Sequence, residues 1–267
     1  MARVARRESP SGYYHVMVRG NNRETIFSKR FEKQYFIELL SLKQDEGRIS
    51  IVAYCIMDNH AHLLIHSDLV EMSEIIKWIN VKYALRYNFI HDRIGHVFQG
   101  RYKSEIISTD SYLLQAIKYI HNNPVKAGIV SEPLNYPWSS YKSYLENSEE
   151  MLLNLDEKQI VLDMFSGSLN DFNKFHLSHE KIVEEDYEFI DIKQDIDLYR
   201  EERAQIIIEN YCLQQGITDA KEFYNKRDAY EKMIIELLKS TKLSHRKISE
   251  LMNTTRGTIH SIAKKQL

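Results

Sequence analysis

The order of apolar and polar residues changes period several times along the chain. Residues 13–19, YYHVMVR, are short, aromatic and β-branched, and predict a strand running into the Gly/Asn loop RGNNR. In residues 31–46 apolar side chains fall at 31, 35, 36, 39, 40 and 42, which is helical spacing, and Gly47 supplies a stop. Residues 49–56 predict a buried strand. A turn at Asp58-Asn59 leads to a second strand over 60–66. Residues 70–90 predict a long helix with Ile75, Ile76, Ile79, Tyr83 and Tyr87 on one stripe. A short strand over 103–108 and a helix from 111 to about 123, stopped by Pro124, follow.

Strand, helix, strand, strand, helix, strand, helix is the order of an α+β fold. The expectation is a ferredoxin-like or RRM-like antiparallel sheet with helices on one face, followed by an all-α C-terminal region. Three parts are expected: a first domain over 1–147 that ends in YPWSSYKSYL, a mainly helical connecting region over 148–228, and a module over 229–267. Within the connecting region, 152–177 reads as one or two short helices and 180–200 as a linker or solvated face. Trp138 and Tyr141 seal the first domain better than they stack a base.

The module has its own pattern. A helix is expected over 229–240. Ser244 caps a short helix, Asn253-Thr254 turns the chain, and Thr255 caps another. Ile248, Leu251, Ile259 and Ile262 would pack the pair. That is a helix-turn-helix pattern, whose second helix would offer Arg256, Thr258, His260, Ser261, Lys264 and Lys265 to a duplex groove. A purely structural helix hairpin is the other reading.

Charge sharpens the division. Residues 1–147 hold 19 Lys/Arg against 15 Asp/Glu, residues 148–200 hold 5 against 14, and residues 201–267 hold 12 against 9. Two mildly basic ends around an acidic middle suit a protein that handles nucleic acid. The 17 tyrosines either pack the core or stack bases. Cys55 and Cys212 make neither a disulfide framework nor a CxxC knuckle. With no bilayer-length apolar run and no apolar signal core in MARVARRESP, the expected location is the cytoplasm, associated with the nucleoid.

Candidate chemistry centres on MDNHAHLLIH, residues 57–66. On a strand, residues i and i+2 share a face, so His60 and His62 point one way while Ala61 and Leu63 point the other. Two imidazoles so placed can hold one divalent cation, or can be histidines satisfied in a core. On the later helix Tyr119 and Asn123 are four apart and share a face with Ala116 and Ile120. Tyr119 is then either a nucleophile towards phosphorus or a core tyrosine. Asn123 can supply a third ligand oxygen. Arg19, Asn21, Asn22 and Arg23, and Gln99, Arg101, Tyr102 and Lys103, lie in loops that can hold phosphates or can simply be solvated. Lys126 is a further phosphate candidate. His66 and His121 are out of phase with Tyr119 and read as structural.

YHVMVRGNNRETIF, YCIMDNHAHLLI, HVFQGRYKSEII and YLLQAIKYIHNNPVKAGIV, taken in order over about residues 10–145, resemble the REP-associated tyrosine transposases of the single-tyrosine HUH endonuclease superfamily. The resemblance implies a single-stranded DNA endonuclease and strand transferase acting near hairpins. His60 and His62, around the hydrophobic Ala61, would bind Mg2+ or Mn2+ with Asn123 as third ligand. Tyr119 would form a covalent 5′-phosphotyrosine and leave a free 3′-OH, with no need for ATP. Relatives often pair, so a homodimer is implied as an option, and the C-terminal module resembles an appendage some relatives carry. The alternative is a non-catalytic regulator that binds hairpin or duplex DNA through the helix-turn-helix. A plain metal-dependent nuclease using water is a third reading.

Overall fold

The computed structural model describes residues 6–146, 152–178, 193–214, 227–241 and 243–264. It divides into two compact units, one of Met1–Pro124 and Glu132–Ile190, the other of Val125–Ser131 and Asp191–Leu267.

The first unit contains β1 (Tyr13–Arg19), α1 (Arg30–Asp45), β2 (Ser50–Ile56), β3 (His60–His66), α2 (Leu69–Ile90), β4 (Lys103–Ile107) and α3 (Asp110–Lys126). The strands stand in the order β2-β3-β1-β4, and every neighbouring pair is antiparallel. This is the ferredoxin-like α+β sheet that the alternating pattern predicts, with β1 and β3 at its centre. Along β3, Ala61, Leu63 and Ile65 turn towards α1 and α2, where they join Val16, Phe36 and Ile75 in one apolar core. Their neighbours His60, His62 and Leu64 necessarily face the other side. Asp68 starts α2 by accepting the Glu71 backbone N–H at 2.8 Å.

Two expectations need correction. Helices on one face describes α1 and α2 only. α3 covers the opposite face, where Tyr119 packs its ring edge against His62 and His15. A central strand that is buried on both sides needs cover on both. Pro124 also does not stop α3, which continues to Lys126. A proline one turn from a helix end removes a single backbone bond, so its cost is small there. The stop comes at Gly128, whose φ of +76° suits glycine and whose N–H returns to the Val125 carbonyl at 3.0 Å.

The segment after α3 seals the sheet as expected. The Trp138 carbonyl accepts the Ile56 N–H at 2.9 Å, and Ser139 bridges to Cys55. α4 (Tyr141–Leu145), α5 (Leu155–Asp163) and α6 (Leu169–Leu177) complete the unit. The acidic stretch therefore hides a packing face, since Val161, Leu162 and Phe172 are buried and Phe172 stacks on Tyr144 at 4.8 Å. His121 of α3 meets His176 of α6, Nδ1 to Nε2, at 3.0 Å. Most of the expected linker over 180–200 lies outside the described residues.

The second unit contains α7 (Lys193–Gln214), α8 (Arg227–Ser240), α9 (His245–Leu251) and α10 (Arg256–Lys264). The expected connecting region is thus shared, with α5 and α6 in the first unit and α7 in the second. Ser244 caps α9 and Thr255 caps α10, each by accepting the backbone N–H three residues on. Asn253 makes the turn between them with φ +44°. Ile248, Ile259 and Ile262 are buried against Met233 and Leu237 of α8, and Met252 takes the inner position more fully than Leu251. Among the described residues no helix is long and apolar enough to cross a membrane.

Candidate active site

His60 and His62 enter the site from the central strand β3, at 3% and 1% exposure. Their ring centroids are 4.9 Å apart and their planes nearly perpendicular, at 89°. Each ring has its Nδ1 engaged. Asn59 Oδ1 lies 2.5 Å from His60 Nδ1, and His15 Nε2 lies 2.9 Å from His62 Nδ1. Asn59 Oδ1 can only accept, so the His60 proton lies on Nδ1 and its Nε2 keeps the lone pair, while in the His15–His62 bond either ring can be the donor.

α3 closes the site. The Tyr119 ring stands edge-on to His62 at 5.6 Å and to His15 at 5.8 Å. Asn123, one turn on, approaches the His60 imidazole and raises its pKa slightly. Burial, reinforced by the Arg19 charge, acts more strongly in the other direction and holds His60 down at about 4. His60 is therefore neutral at pH 7, the form in which an imidazole binds a cation. The Asn123 Oδ1 atom is buried without a hydrogen-bond partner of good geometry. A buried carboxamide oxygen left in that state needs an explanation, and an electrophilic ion beside it is one.

The residues present therefore fit a divalent cation, held by two imidazole nitrogens and a carboxamide oxygen. Among the described residues no group of three or more His, Cys, Asp or Glu side chains is arranged to hold an ion. A set completed by an amide is a different donor set. Imidazole with amide oxygen favours Mn2+ over the harder Mg2+.

Beside His60 lies a cationic cleft. Arg19 pairs with His60 across β1 and β3. It lines a hollow together with Met17, Asn80, Gln99, Arg101 and Lys103. Two loops form the rim, tied by Asn21 N–H to the Val97 carbonyl and Gln99 N–H to the Arg19 carbonyl, both at 2.8 Å. Gly20 is required at the bend, because a Cβ there would stand 2.2 Å from the Glu24 carbonyl oxygen. Asn21, Asn22 and Arg23 form the 3-10 turn that follows, with Asn22 exposed at its tip. Gln99, Arg101 and Lys103 are all exposed. Lys126 falls in the second unit, as do Arg256, Thr258, His260 and Lys264. Of these, Arg256, His260 and Lys264 share the exposed side of α10, while Thr258 bonds back to the cap residue Thr255 at 2.9 Å.

Four residues of the site were invisible as such in the sequence. His15 and Glu105 read only as strand positions, Asn59 only as a turn, and Asn80 as one polar helix residue.

Residues 8–123 match the family model described as IS200-like transposase. That part of the chain is similar to the IS200-like transposases. The match ends on Asn123, so it contains every residue of the histidine, tyrosine and asparagine cluster. A solved structure, that of a REP-associated tyrosine transposase bound to a REP hairpin, is similar at 18% identity over 57% of this chain and 90% of that one, with a TM-score of 0.46. No curated protein matches. The transposase match leaves α4 onwards outside it.

Proposed function

We propose that the first unit is a metal-dependent, single-stranded DNA endonuclease and strand transferase that acts near hairpins through Tyr119. The observation that carries the reading is the convergence of His60, His62, Tyr119 and Asn123 in one buried cluster of a transposase-like domain. His60 Nε2, His62 Nε2 and Asn123 Oδ1 would hold Mg2+ or Mn2+. When bound, the ion draws charge from the scissile phosphate and eases attack upon it.

Tyr119 Oη gives up its proton and bonds to phosphorus. The bond from phosphorus to the 3′ oxygen breaks, and that oxygen takes up a proton and leaves as a free 3′-OH. A 5′-phosphotyrosine remains, and attack by another 3′-OH reverses the same bonds, so no nucleotide cofactor is required. Arg19, Gln99, Arg101 and Lys103 would seat the strand, with Asn21, Asn22 and Arg23 at the hairpin foot. The exposed side of α10 would grip duplex DNA through Arg256, His260 and Lys264.

The test is a denaturing gel of a hairpin-bearing single strand labelled on the side that keeps the 5′ phosphate. Expected is a Mn2+-dependent, protease-sensitive adduct. Hairpin binding indifferent to Mn2+, with no adduct, would establish the regulator instead. Adduct-free cleavage would establish the water-using nuclease.

Two smaller effects follow. Arg101→Ala is expected to weaken single-strand binding several-fold and to reduce the slope of log K against log salt by about 0.7, the release expected for one phosphate contact on a single strand. Fluorescence anisotropy at three salt concentrations measures it, and an unchanged slope removes Arg101 from the interface. Asn123→Asp exchanges a neutral oxygen for an anionic one. Mn2+ binding should tighten about tenfold in calorimetry, whereas weaker binding would mean that residue 123 is no ligand.

A further inference from the structure

We propose that His15 and Glu105 form an orienting relay behind the ion site, in which His15 sets the tautomer and aim of His62. The inference rests on the reading of His60 and His62 as ligands and adds two positioning residues to it.

His15 sits in the centre of β1, fully buried between Tyr14 and Val16. Its register partners are Leu64 on one side and Glu105 on the other, and all three face α3. A histidine at such a position carries two polar nitrogens into a core where an aliphatic residue would pack without cost. One nitrogen is accounted for, since Nε2 stands 2.9 Å from His62 Nδ1. The other, Nδ1, is buried with no hydrogen bond, and the nearest carboxylate oxygen, Glu105 Oε2, is 3.8 Å away.

The proton positions follow in one direction only. His62 can offer Nε2 to a cation only if its own proton lies on Nδ1. That N–H then donates to His15 Nε2. His15 must in turn carry its proton on Nδ1, where it faces Glu105. The result is a carboxylate, imidazole, imidazole series that ends on the ligand atom. Such outer partners fix the ring plane of a ligand and raise its donor strength. His60 has a shorter version of the same device in Asn59, whose Oδ1 accepts from Nδ1. One ligand is thus aimed by an amide on its own strand turn. The other is aimed from the neighbouring central strand.

A merely structural His15 would fill space and satisfy His62, and shape alone would matter. The two roles separate in Mn2+ titrations of the metal-free full chain by calorimetry, read alongside near-ultraviolet circular dichroism and thermal melting without metal. His15→Leu keeps the volume and removes the acceptor, so Mn2+ affinity should fall about 10- to 100-fold. His15→Gln presents Oε1 to the His62 N–H and should recover to within about threefold of wild type. Glu105→Leu, on the partly exposed edge strand, should bind Mn2+ about fivefold more weakly with its fold intact.

Wild-type affinity in His15→Leu would overturn the relay, as would equal losses in His15→Leu and His15→Gln. If His15→Leu fails to fold, Glu105→Leu decides, and unchanged affinity there overturns the proposal. His62→Ala is the reference. Should it too bind Mn2+ like wild type, the ion reading itself fails, which is a result distinct from a failure of the relay alone.

Discussion

A Tyr119→Phe protein is expected to bind hairpin-bearing single strands as the wild type does and to form no covalent adduct, with cleavage reduced by about a thousandfold or more. The substitution removes one oxygen and leaves the ring. Tyr119 is 1% exposed and packs edge-on against His15 and His62, contacts that need only the ring. His60, His62 and Asn123 keep their places, so Mn2+ affinity should stay within about threefold, since none of its ligands changes. A neutral phenol is a poor nucleophile and gains most from an ion-polarised phosphate. The effect is therefore specific: binding and ion affinity hold while the adduct vanishes. Single-turnover cleavage and the denaturing gel measure it. An adduct in Tyr119→Phe would place the nucleophile elsewhere, and full cleavage without adduct would assign the attack to water.

The fold and half of the site were legible for one reason, which is that both are written in short periods. The alternation around His60 and His62 is a property of seven consecutive residues. The pairing of Tyr119 with Asn123 is a property of one helical turn. Strand register is not local. His15 and Glu105 reach His62 only because β1 lies between β3 and β4, and nothing within YYHVMVR or KSEII says which strand stands beside which. Asn59 was hidden differently, since an asparagine before a strand is explained by the turn it makes. Its second role, accepting from His60, needs the side-chain direction. The end of α3 was misread because proline was weighed without its position near the terminus. The packing of α6 was obscured by composition, for its charged neighbours diluted the spacing of Phe172 and His176.

That last pair bears on the second large effect. Lowering the pH from 7 to 5 is expected to destabilise the first unit, with His176 contributing about 2 kcal/mol of the loss. Ser140 Oγ lies 2.8 Å from His121 Nε2, His121 Nδ1 lies 3.0 Å from His176 Nε2, and His176 Nδ1 lies 2.9 Å from the Phe172 carbonyl. Each of these bonds is satisfied with both rings neutral: Ser140 donates to His121, His121 to His176, and His176 to the carbonyl. Protonating both rings would set two N–H groups facing each other. Burial adds to this, and it holds His176 down at about 4, while burial and the neighbouring His176 hold His121 well below its ordinary value. An unfolded histidine titrates near 6.5, so between about 6.5 and 4 the unfolded chain binds more protons than the folded one. Stability is then fully present above 6.5, falls as the pH drops through that window, and levels off for His176 near 4. His121 acts in the same sense. Urea unfolding of the metal-free protein at pH 7, 6 and 5 measures the slope. His176→Gln cannot titrate, so its slope should be shallower than that of the wild type by His176's share, whatever its absolute stability. Equal slopes in the two proteins would mean that His176 is protonated as readily folded as unfolded, and that α6 is not fastened to α3 through a neutral pair.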